Sequence, residues 1–414
     1  MGLKFSIITP THLKNAFLED LYQSLVEQTY DNWEWVLYLN GGAKASSMLH
    51  TPWFNDTRVH IIEDTDNNPR VGYNKNKAFN LGRGDVLVEV DHDDILIDTC
   101  LEELEKAFTD SNIGFVYSDN AIWHTKNQFV PYDQAYGWTY KTYNWKDKTL
   151  LSMDSFPPSS RAMAYIWFAP DHVRAWRADV YRNIGGHNPE LDICDDHELM
   201  IRTYLATKMF HIPKVLYIYR VTGENTWLER NQAIQKKTVE LGHQYAWDLA
   251  CKEARERGLK IVEIGGGINP KPGCDINIDL EDGSVKWDLN ISIPLPDNSV
   301  GVLNASHIIE HLHDKHKIMK EIHRVLADGG WAFIEVPSTD GRGAFQDPTH
   351  VSYWNENCFW YYTRADKAMF IRNDTIKFQE FRLDTIWWDN HIAITNAWLV
   401  AIKSTDRRPN LTRI

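Results

Sequence analysis

The sequence predicts an α/β chain of two domains, and three observations carry that expectation. Apolar runs of strand length alternate with segments of helical periodicity, the pattern of βαβ units and parallel sheets. Glycine turns and acids stand at the ends of several of these runs, and open α/β sheets bind ligands at the carboxyl ends of their strands. At 414 residues the chain is long for a single core. The pattern divides into a first domain over 1–225, a helical connector over 226–258 and a second domain over 259–414.

Taken in order, 4–8 is a short strand followed by Thr9-Pro10-Thr11, and 13–28 carries apolar residues at helical spacing. A second strand over 33–39 is closed by Asn40-Gly41-Gly42, a third lies over 59–62, and 74–81 is a helix rich in Asn and Lys. The next strand organises the domain. Val86-Leu-Val-Glu-Val-Asp91-His92-Asp93-Asp94 is an apolar run ending in three carboxylates within four positions, punctuated at its start by Gly82 and Gly84. Alternation along a strand sends Asp91 and Asp93 to the same side. Two converging acids suit a hard divalent cation, Mn²⁺ or Mg²⁺, and a diphosphate is the natural anion to share it. A bare D-x-D triplet also describes a solvated acidic loop, so its sequence company decides. The stretch 122–176 is irregular and aromatic, with Trp123, Trp138, Tyr140, Tyr143, Trp145, Trp167 and Trp176, and 229–257 reads as one charged helix stopped by Gly258.

Composition bounds the function. Hydrophobic residues at 43% and charged residues at 24% describe an ordinary globular protein. The net charge of -13 argues against a general electrostatic grip on nucleic acid or anionic lipid. Five scattered cysteines without a C-x-x-C pair read as reduced thiols of a cytoplasmic protein. No apolar run reaches the length of a membrane span, and the N-terminus lacks a signal-peptide pattern. Met1-Gly2 through Ser6 fits the loose myristoylation pattern but opens a strand.

Ser6-Ile-Ile-Thr-Pro-Thr11, Trp33-Glu-Trp-Val-Leu-Tyr-Leu-Asn40, Asn76-Lys-Ala-Phe-Asn80-Leu-Gly82-Arg-Gly84-Asp85 and Asp91-His-Asp93-Asp94 follow one another in the first hundred residues. Asn183-Ile-Gly-Gly186, Cys194-Asp195-Asp196-His-Glu198-Leu-Met-Ile-Arg202 and Tyr219-Arg220 come later, in order. Together these motifs make the first half resemble a family-two glycosyltransferase of the GT-A fold, a Rossmann-like nucleotide-sugar domain. The resemblance implies a nucleotide-sugar donor near Thr9, Pro10, Asn40, Asn76 and Asp91, and a metal held by Asp91 and Asp93. It implies Asp196 as the base that takes the acceptor hydroxyl's proton in an inverting transfer, although Asp195-Asp196 also reads as an N-cap pair. The implied acceptor is a glycan or a lipid-linked sugar, with a modified DNA base as the alternative. Two departures stand out: Leu39-Asn40-Gly41-Gly42 replaces the family's Asp-Asp-Gly-Ser, and Thr222 stands where a His commonly follows Tyr-Arg. Gln-x-x-Arg-Trp is missing from 224–231, which argues against a processive polymerase.

In the second domain, Lys260-Ile-Val-Glu-Ile264-Gly-Gly-Gly267 is a strand entering a glycine turn, 275–279 a second strand ending in acid, and 300–305 a third. Ser306-His307-Ile-Ile-Glu310-His311 and Arg324-Val-Leu326-Ala-Asp-Gly329-Gly330 follow. These pieces resemble a class I S-adenosylmethionine-dependent methyltransferase, a second Rossmann-like fold, and the resemblance implies cofactor contacts at Gly265, Gly267 and Asp279. About ten residues separate the glycine turn from the next strand, too few for a crossover helix, so S-adenosylmethionine binding is expected to be altered or lost. His307-x-x-Glu310-His311 also fits the inverted zinc-protease pattern. Its place after a buried strand argues against zinc, and His350, in Asp347-Pro-Thr-His350, is a candidate for local chemistry or for a satisfied core histidine, the latter being favoured. Three readings stand: a glycosyltransferase with a methyltransferase-like accessory domain, a bifunctional enzyme, and a binding scaffold in which both sites have decayed.

Overall fold

The computed structural model describes residues 2–12, 17–125, 137–223, 226–373, 375–405 and 408–409. The start of the helix expected over 13–28, part of the aromatic stretch and residues 224–225 lie outside them. The chain divides into two units, Met1–Tyr245 and Ala246–Ile414.

In the first unit, β1 (Phe5–Thr11), β2 (Trp33–Leu39), β3 (Val59–Glu63) and β4 (Val86–Glu89) are parallel, with α1 (Phe17–Val26) and α2 (Val71–Asn80) in their connections. Every residue of β2 and β4 is buried, as a parallel sheet covered on both faces requires. Strand β1 runs past its expected end because its pairing with β4 stops at Ile8 opposite Glu89, so the Pro10 nitrogen falls where that ladder needs no donor.

The chain then adds β5 (Ile95–Leu96), α3 (Cys100–Ala107), β6 (Ile113–His124), the hairpin β7 (Tyr140–Trp145) and β8 (Lys148–Met153), α4 (Ser160–Tyr165), β9 (Arg174–Arg177), α5 (Ala178–Asn183), α6 (Asp195–Ala206) and β10 (Lys208–Val221). The sheet order is β3-β2-β1-β4-β9-β6-β10-β5. Strand β9 lies antiparallel between β4 and β6 and sets Arg174 opposite Glu89. Much of the stretch expected to be irregular is therefore regular. Of its rings, Trp176 is core, its indole N–H donating to the Thr203 hydroxyl at 3.0 Å, and Trp138 stacks on Phe168 at 5.0 Å.

Helix α7 (Thr226–Glu256) begins in the first unit and ends in the second. The second unit's sheet holds β11 (Lys260–Ile264), β12 (Ile276–Asp279), β13 (Val285–Lys286), β14 (Val300–Ser306) and β15 (Leu326–Pro337), all parallel, with β16 (Phe378–Trp387) and β17 (Ala393–Ala401) antiparallel at one side. Its order is β13-β12-β11-β14-β15-β17-β16. Helix α8 (Lys315–Val325) precedes β15, and α9 (Gly343–Gln346) and α10 (Glu356–Thr363) follow it. Asp314 caps α8 by accepting from the His316 and Lys317 amides, and Ile318, Met319, Ile322 and Val325 carry the helix onto the sheet. No helix joins β11 to β12, as the short connection predicts. The five cysteines are free, and among the described residues no helix is long and apolar enough to cross a membrane.

Candidate active site of the first unit

The three acids after β4 take different positions. Asp94 is buried, accepting the Tyr217 hydroxyl on Oδ2 at 2.8 Å and the Arg220 amide on Oδ1 at 2.7 Å, while the Tyr217 oxygen accepts the Asp91 amide at 3.1 Å. These bonds pin the acidic loop to β10. Burial, with Asp93 and Asp91 nearby, holds the Asp94 carboxyl well above the ordinary carboxylate range. Asp91 and Asp93 stay partly exposed. The Asp91 carboxylate lies 4.0 Å from His172 Nε2, and among the described residues Asp93 has no side-chain hydrogen bond or ion pair. Two carboxylates left open to solvent suit a hard divalent cation, so the donor set fits Mn²⁺ or Mg²⁺.

Beneath them lies a buried charge network centred on Glu89. Lys75 from α2 reaches Glu89 Oε1 at 2.6 Å and stands 4.0 Å from Asp195 Oδ2. Arg174 Nη1 donates to Asp196 Oδ2 at 3.1 Å and lies 3.5 Å from Glu89 Oε2. Glu89 and Arg174 are each 1% exposed, so neither charge would survive without the other partners. The Tyr181 hydroxyl accepts the His187 amide at 3.0 Å and is hydrogen-bonded to Nδ1 at 2.8 Å. The ring's Nε2 faces Glu89 at 3.8 Å and Asp195 at 4.0 Å.

Against the upward push of burial, Lys75, His187 and Arg174 hold Glu89 well below its ordinary pKa. Lys75 is held well above its own, its acidic neighbours outweighing burial. The adjacent acids of α6 part company. Burial raises Asp195, whereas Arg174 and Lys75 overcome burial and lower Asp196. Two neighbouring carboxyls pushed apart in this way are an arrangement that suits acid–base chemistry. Asp196 keeps 19% of its side chain exposed. The turn before α6 is built for this placement: Gly186 has φ 63°, and a Cβ there would meet the Tyr181 ring at 2.5 Å. Arg202 ties the turn to α6 through the Gly186 carbonyl and Glu198.

The other expected donor contacts fall into two groups. Thr9 is buried, its hydroxyl accepting from the Trp35 indole at 3.0 Å, and Asn76 donates to the Gly185 and His187 carbonyls at 3.1 and 2.7 Å. Both side chains are occupied by the fold itself, leaving Thr9 only its backbone to offer a donor. Pro10 is partly exposed, and Asn40 stands beside Gly41 and Gly42 with a buried Oδ1 that has no hydrogen-bond partner among the described residues. An orphan acceptor at the end of β2 is what a base or ribose donor would satisfy.

In the second unit, the Asp279 carboxylate accepts from the Gly267, Glu281 and Asp282 amides at 3.1, 3.0 and 3.2 Å. A Cβ on Gly265 would meet the Ile308 side chain at 2.4 Å, so this glycine answers a close approach from within the fold. With Asp279 engaged by the turn and no helix after it, the residues present do not fit the conventional holding of S-adenosylmethionine.

The family model for glycosyl transferase family 2 matches residues 6–164, and that for a methyltransferase domain matches residues 275–334. The chain carries a family 2 glycosyl transferase domain followed by a methyltransferase domain. It is similar to the chondroitin synthase of Escherichia coli, 23% identical over 230 residues, 54% of this chain and 30% of that protein. It is also similar to the Escherichia coli UDP-Glc:alpha-D-GlcNAc-diphosphoundecaprenol beta-1,3-glucosyltransferase WfgD, 26% identical over 174 residues, 40% and 68% of the two chains. Ajmaline N-methyltransferase of Rauvolfia serpentina is 29% identical over 92 residues, 21% and 28% of the two chains. The chain thus spans less than a third of the chondroitin synthase. Among solved structures, S. aureus TarS 1-349 gives a TM-score of 0.41 at 17% identity, covering 57% of this chain and 65% of that one. The mannosyltransferase PcManGT from Pyrobaculum calidifontis, in complex with GDP-Man and Mn2+, gives 0.43 at 14% identity, covering 62% and 76%.

The glycosyl transferase match includes Asp91, Asp93, Lys75 and Glu89 but ends before Arg174, His187 and Asp196. Motif reasoning missed Lys75, Glu89, Arg174 and His187. One signal was available: Glu89 is a lone acid inside Val86-Leu-Val-Glu-Val90, and a charge in a buried strand demands a partner.

Proposed function

We propose that the first unit is a metal-dependent, inverting glycosyltransferase that moves a sugar from a nucleoside-diphosphate donor to a hydroxyl of a glycan or lipid-linked acceptor. The observation that carries this reading is Asp196, a partly exposed carboxylate kept ionised and oriented by Arg174 at 3.1 Å, the same arginine that lies 3.5 Å from Glu89 at the end of β4. Its Oδ1 accepts the His197 amide at 2.8 Å and its Oδ2 accepts Arg174, and a remaining lone pair takes the proton from the acceptor hydroxyl while that oxygen bonds to the anomeric carbon and the diphosphate leaves from the opposite face. Asp91 and Asp93 would hold Mn²⁺ or Mg²⁺, which offsets charge on the leaving group. Lys75 and Arg174 keep Glu89 ionised and fix the floor of the site. The relatives' names, a diphosphoundecaprenol glucosyltransferase among them, support a saccharide acceptor.

The test is a panel of nucleotide sugars and hydroxyl acceptors with the full chain, scored by nucleoside diphosphate release and product stereochemistry. EDTA should abolish transfer and Mn²⁺ or Mg²⁺ restore it, and Asp196→Asn should lower transfer about 100-fold or more while donor binding persists. Full turnover in EDTA removes the metal role, and wild-type transfer by Asp196→Asn removes the base.

A further inference from the structure

The His307-x-x-Glu310-His311 motif belongs to none of the chemistry above, and the fold gives it an additional histidine. Strand β14 ends at Ser306, and the turn that follows carries Glu310 and His311 to the segment after α9, where His350 lies. One ligand atom from each of Glu310, His311 and His350 falls within 4.8 Å of the others, the one such cluster of three or more among the described residues. His350 Nε2 stands 4.0 Å from Glu310 Oε1. The Glu310 side chain is 3% exposed, yet neither of its carboxylate oxygens has a hydrogen-bond partner among the described residues. A buried carboxylate left without a donor is costly unless something else neutralises it.

The histidines are prepared to supply that something. His350 Nδ1 lies 3.0 Å from the Ala344 carbonyl, and His311 Nδ1 lies 3.2 Å from the Thr349 carbonyl. A carbonyl accepts only from a protonated nitrogen, so each Nδ1 carries the hydrogen and each Nε2 keeps its lone pair. A backbone carbonyl on the far nitrogen is the usual support of a metal-binding histidine. Ligand bonds of about 2.0–2.2 Å in a tetrahedral zinc site put the ligand atoms roughly 3.3–3.5 Å apart. Closing from 4.0 Å for the His350–Glu310 pair, and from no more than 4.8 Å for the set, needs shifts below an ångström at each side chain. Two imidazoles and one carboxylate select a borderline transition ion over Mg²⁺.

We propose that Glu310, His311 and His350 form a binding site for one Zn²⁺-class divalent ion in the second unit, with a fourth position open to water. Two partly exposed side chains stand next to the cluster: Asp347 Oδ2 is 3.9 Å from His350 Nε2, and His307 Nδ1 is 3.6 Å from Glu310 Oε1. The site lies at the carboxyl ends of β14 and β15, where open α/β sheets place ligands. It gives the unit a chemical centre that needs no methyl donor.

The test uses the full chain carrying Asp91→Asn and Asp93→Asn, so that the first unit's acids do not contribute. After EDTA stripping, the protein is titrated with ZnCl₂ and with MgCl₂, and its metal content after dialysis is measured by mass spectrometry. One Zn²⁺ per chain should be retained, and Mg²⁺ should not compete. Glu310→Gln and His350→Asn should each weaken Zn²⁺ binding by about 100-fold or more, since even supporting residues cost 10–100-fold. Co²⁺ loaded in place of Zn²⁺ should give tetrahedral visible absorption that His350→Asn abolishes. Folding of each variant is checked by circular dichroism, and His350→Asn serves should Glu310→Gln fail to fold. Unchanged Zn²⁺ affinity in the folded variants, or no Zn²⁺ retained by the folded parent, overturns the site.

Discussion

Asp171 and His172 are sequence neighbours driven in opposite directions by burial. Burial pushes the Asp171 carboxyl up to about 6 from an ordinary 3.8, with Arg174 pulling the other way, and burial together with Arg174 pushes His172 down to about 4 from 6.5. The folded state therefore holds the Asp171 proton more tightly than the unfolded chain does, and that stability is present below about pH 4 and lost as pH rises through 6. His172 does the reverse, contributing above about 6.5 and losing its contribution as pH falls through 4. Between pH 4 and 6 the two offset each other, so wild-type stability should owe little slope to this pair. Removing one partner uncovers the other. In His172→Gln, stability should fall by up to about 3 kcal/mol as pH rises from 4 to 6 relative to wild type, and Asp171→Asn should show the opposite slope. Urea unfolding followed by tryptophan fluorescence at several pH values measures both, and parallel curves for all three proteins would contradict the assignment.

At the scale of elements, the connection from β11 to β12 decides what the methyltransferase domain can do. Residues 265–275 run from the glycine turn to β12 without a helix, and Pro270 and Pro272 remove two backbone donors from that loop. Asp279 already accepts three amides of the turns around it. Calorimetric titration of S-adenosylmethionine into the full chain should show no micromolar binding, and Asp279→Ala should change nothing. Micromolar binding lost in Asp279→Ala would make the chain bifunctional. The strands on either side were legible in the sequence for a physical reason: buried parallel strands such as Trp33–Leu39 are nearly continuous apolar runs. The hairpin of β7 and β8 was not, because β7 is largely exposed and its two-residue turn, Lys146-Asp147, takes a positive φ at Lys146 without the Asn-Gly signal. The site divides in the same way. Asp91 and Asp93 announce themselves by ending an apolar run, whereas Lys75 meets Glu89 from α2, Arg174 through the antiparallel insertion of β9 and His187 through the turn before α6. The metal-type cluster was half legible, since Glu310 and His311 share a motif while His350 arrives from a segment 39 residues beyond His311.

At the scale of the whole molecule, α7 decides where the chain can be cut. Its last part belongs to the second unit, although the sequence pattern alone reads residues 226–258 as a connector outside both domains. In residues 246–256, Leu249, Ala250, Cys251 and Ala254 are buried, Trp247 packs its ring 5.2 Å from Phe333, and Lys271 lies 3.8 Å over Trp247. A Cβ on Gly301 would meet Ala254 Cβ at 2.5 Å, so the helix rests directly on β14 at a position that only glycine leaves open. A fragment over 246–414 keeps this layer, and a fragment over 259–414 strips it from the sheet. Burial of Leu249 alone is worth roughly 1.5–3 kcal/mol, before the alanines and Trp247 are counted. For a unit of this size each kcal/mol moves the midpoint by about 2–4 °C, so the shorter fragment should melt at least about 5–10 °C lower and bind a hydrophobic dye that the longer one excludes. Thermal circular dichroism of the two fragments makes the comparison. Equal midpoints would mean that the end of α7 contributes nothing to the second unit and that the boundary belongs after Gly258.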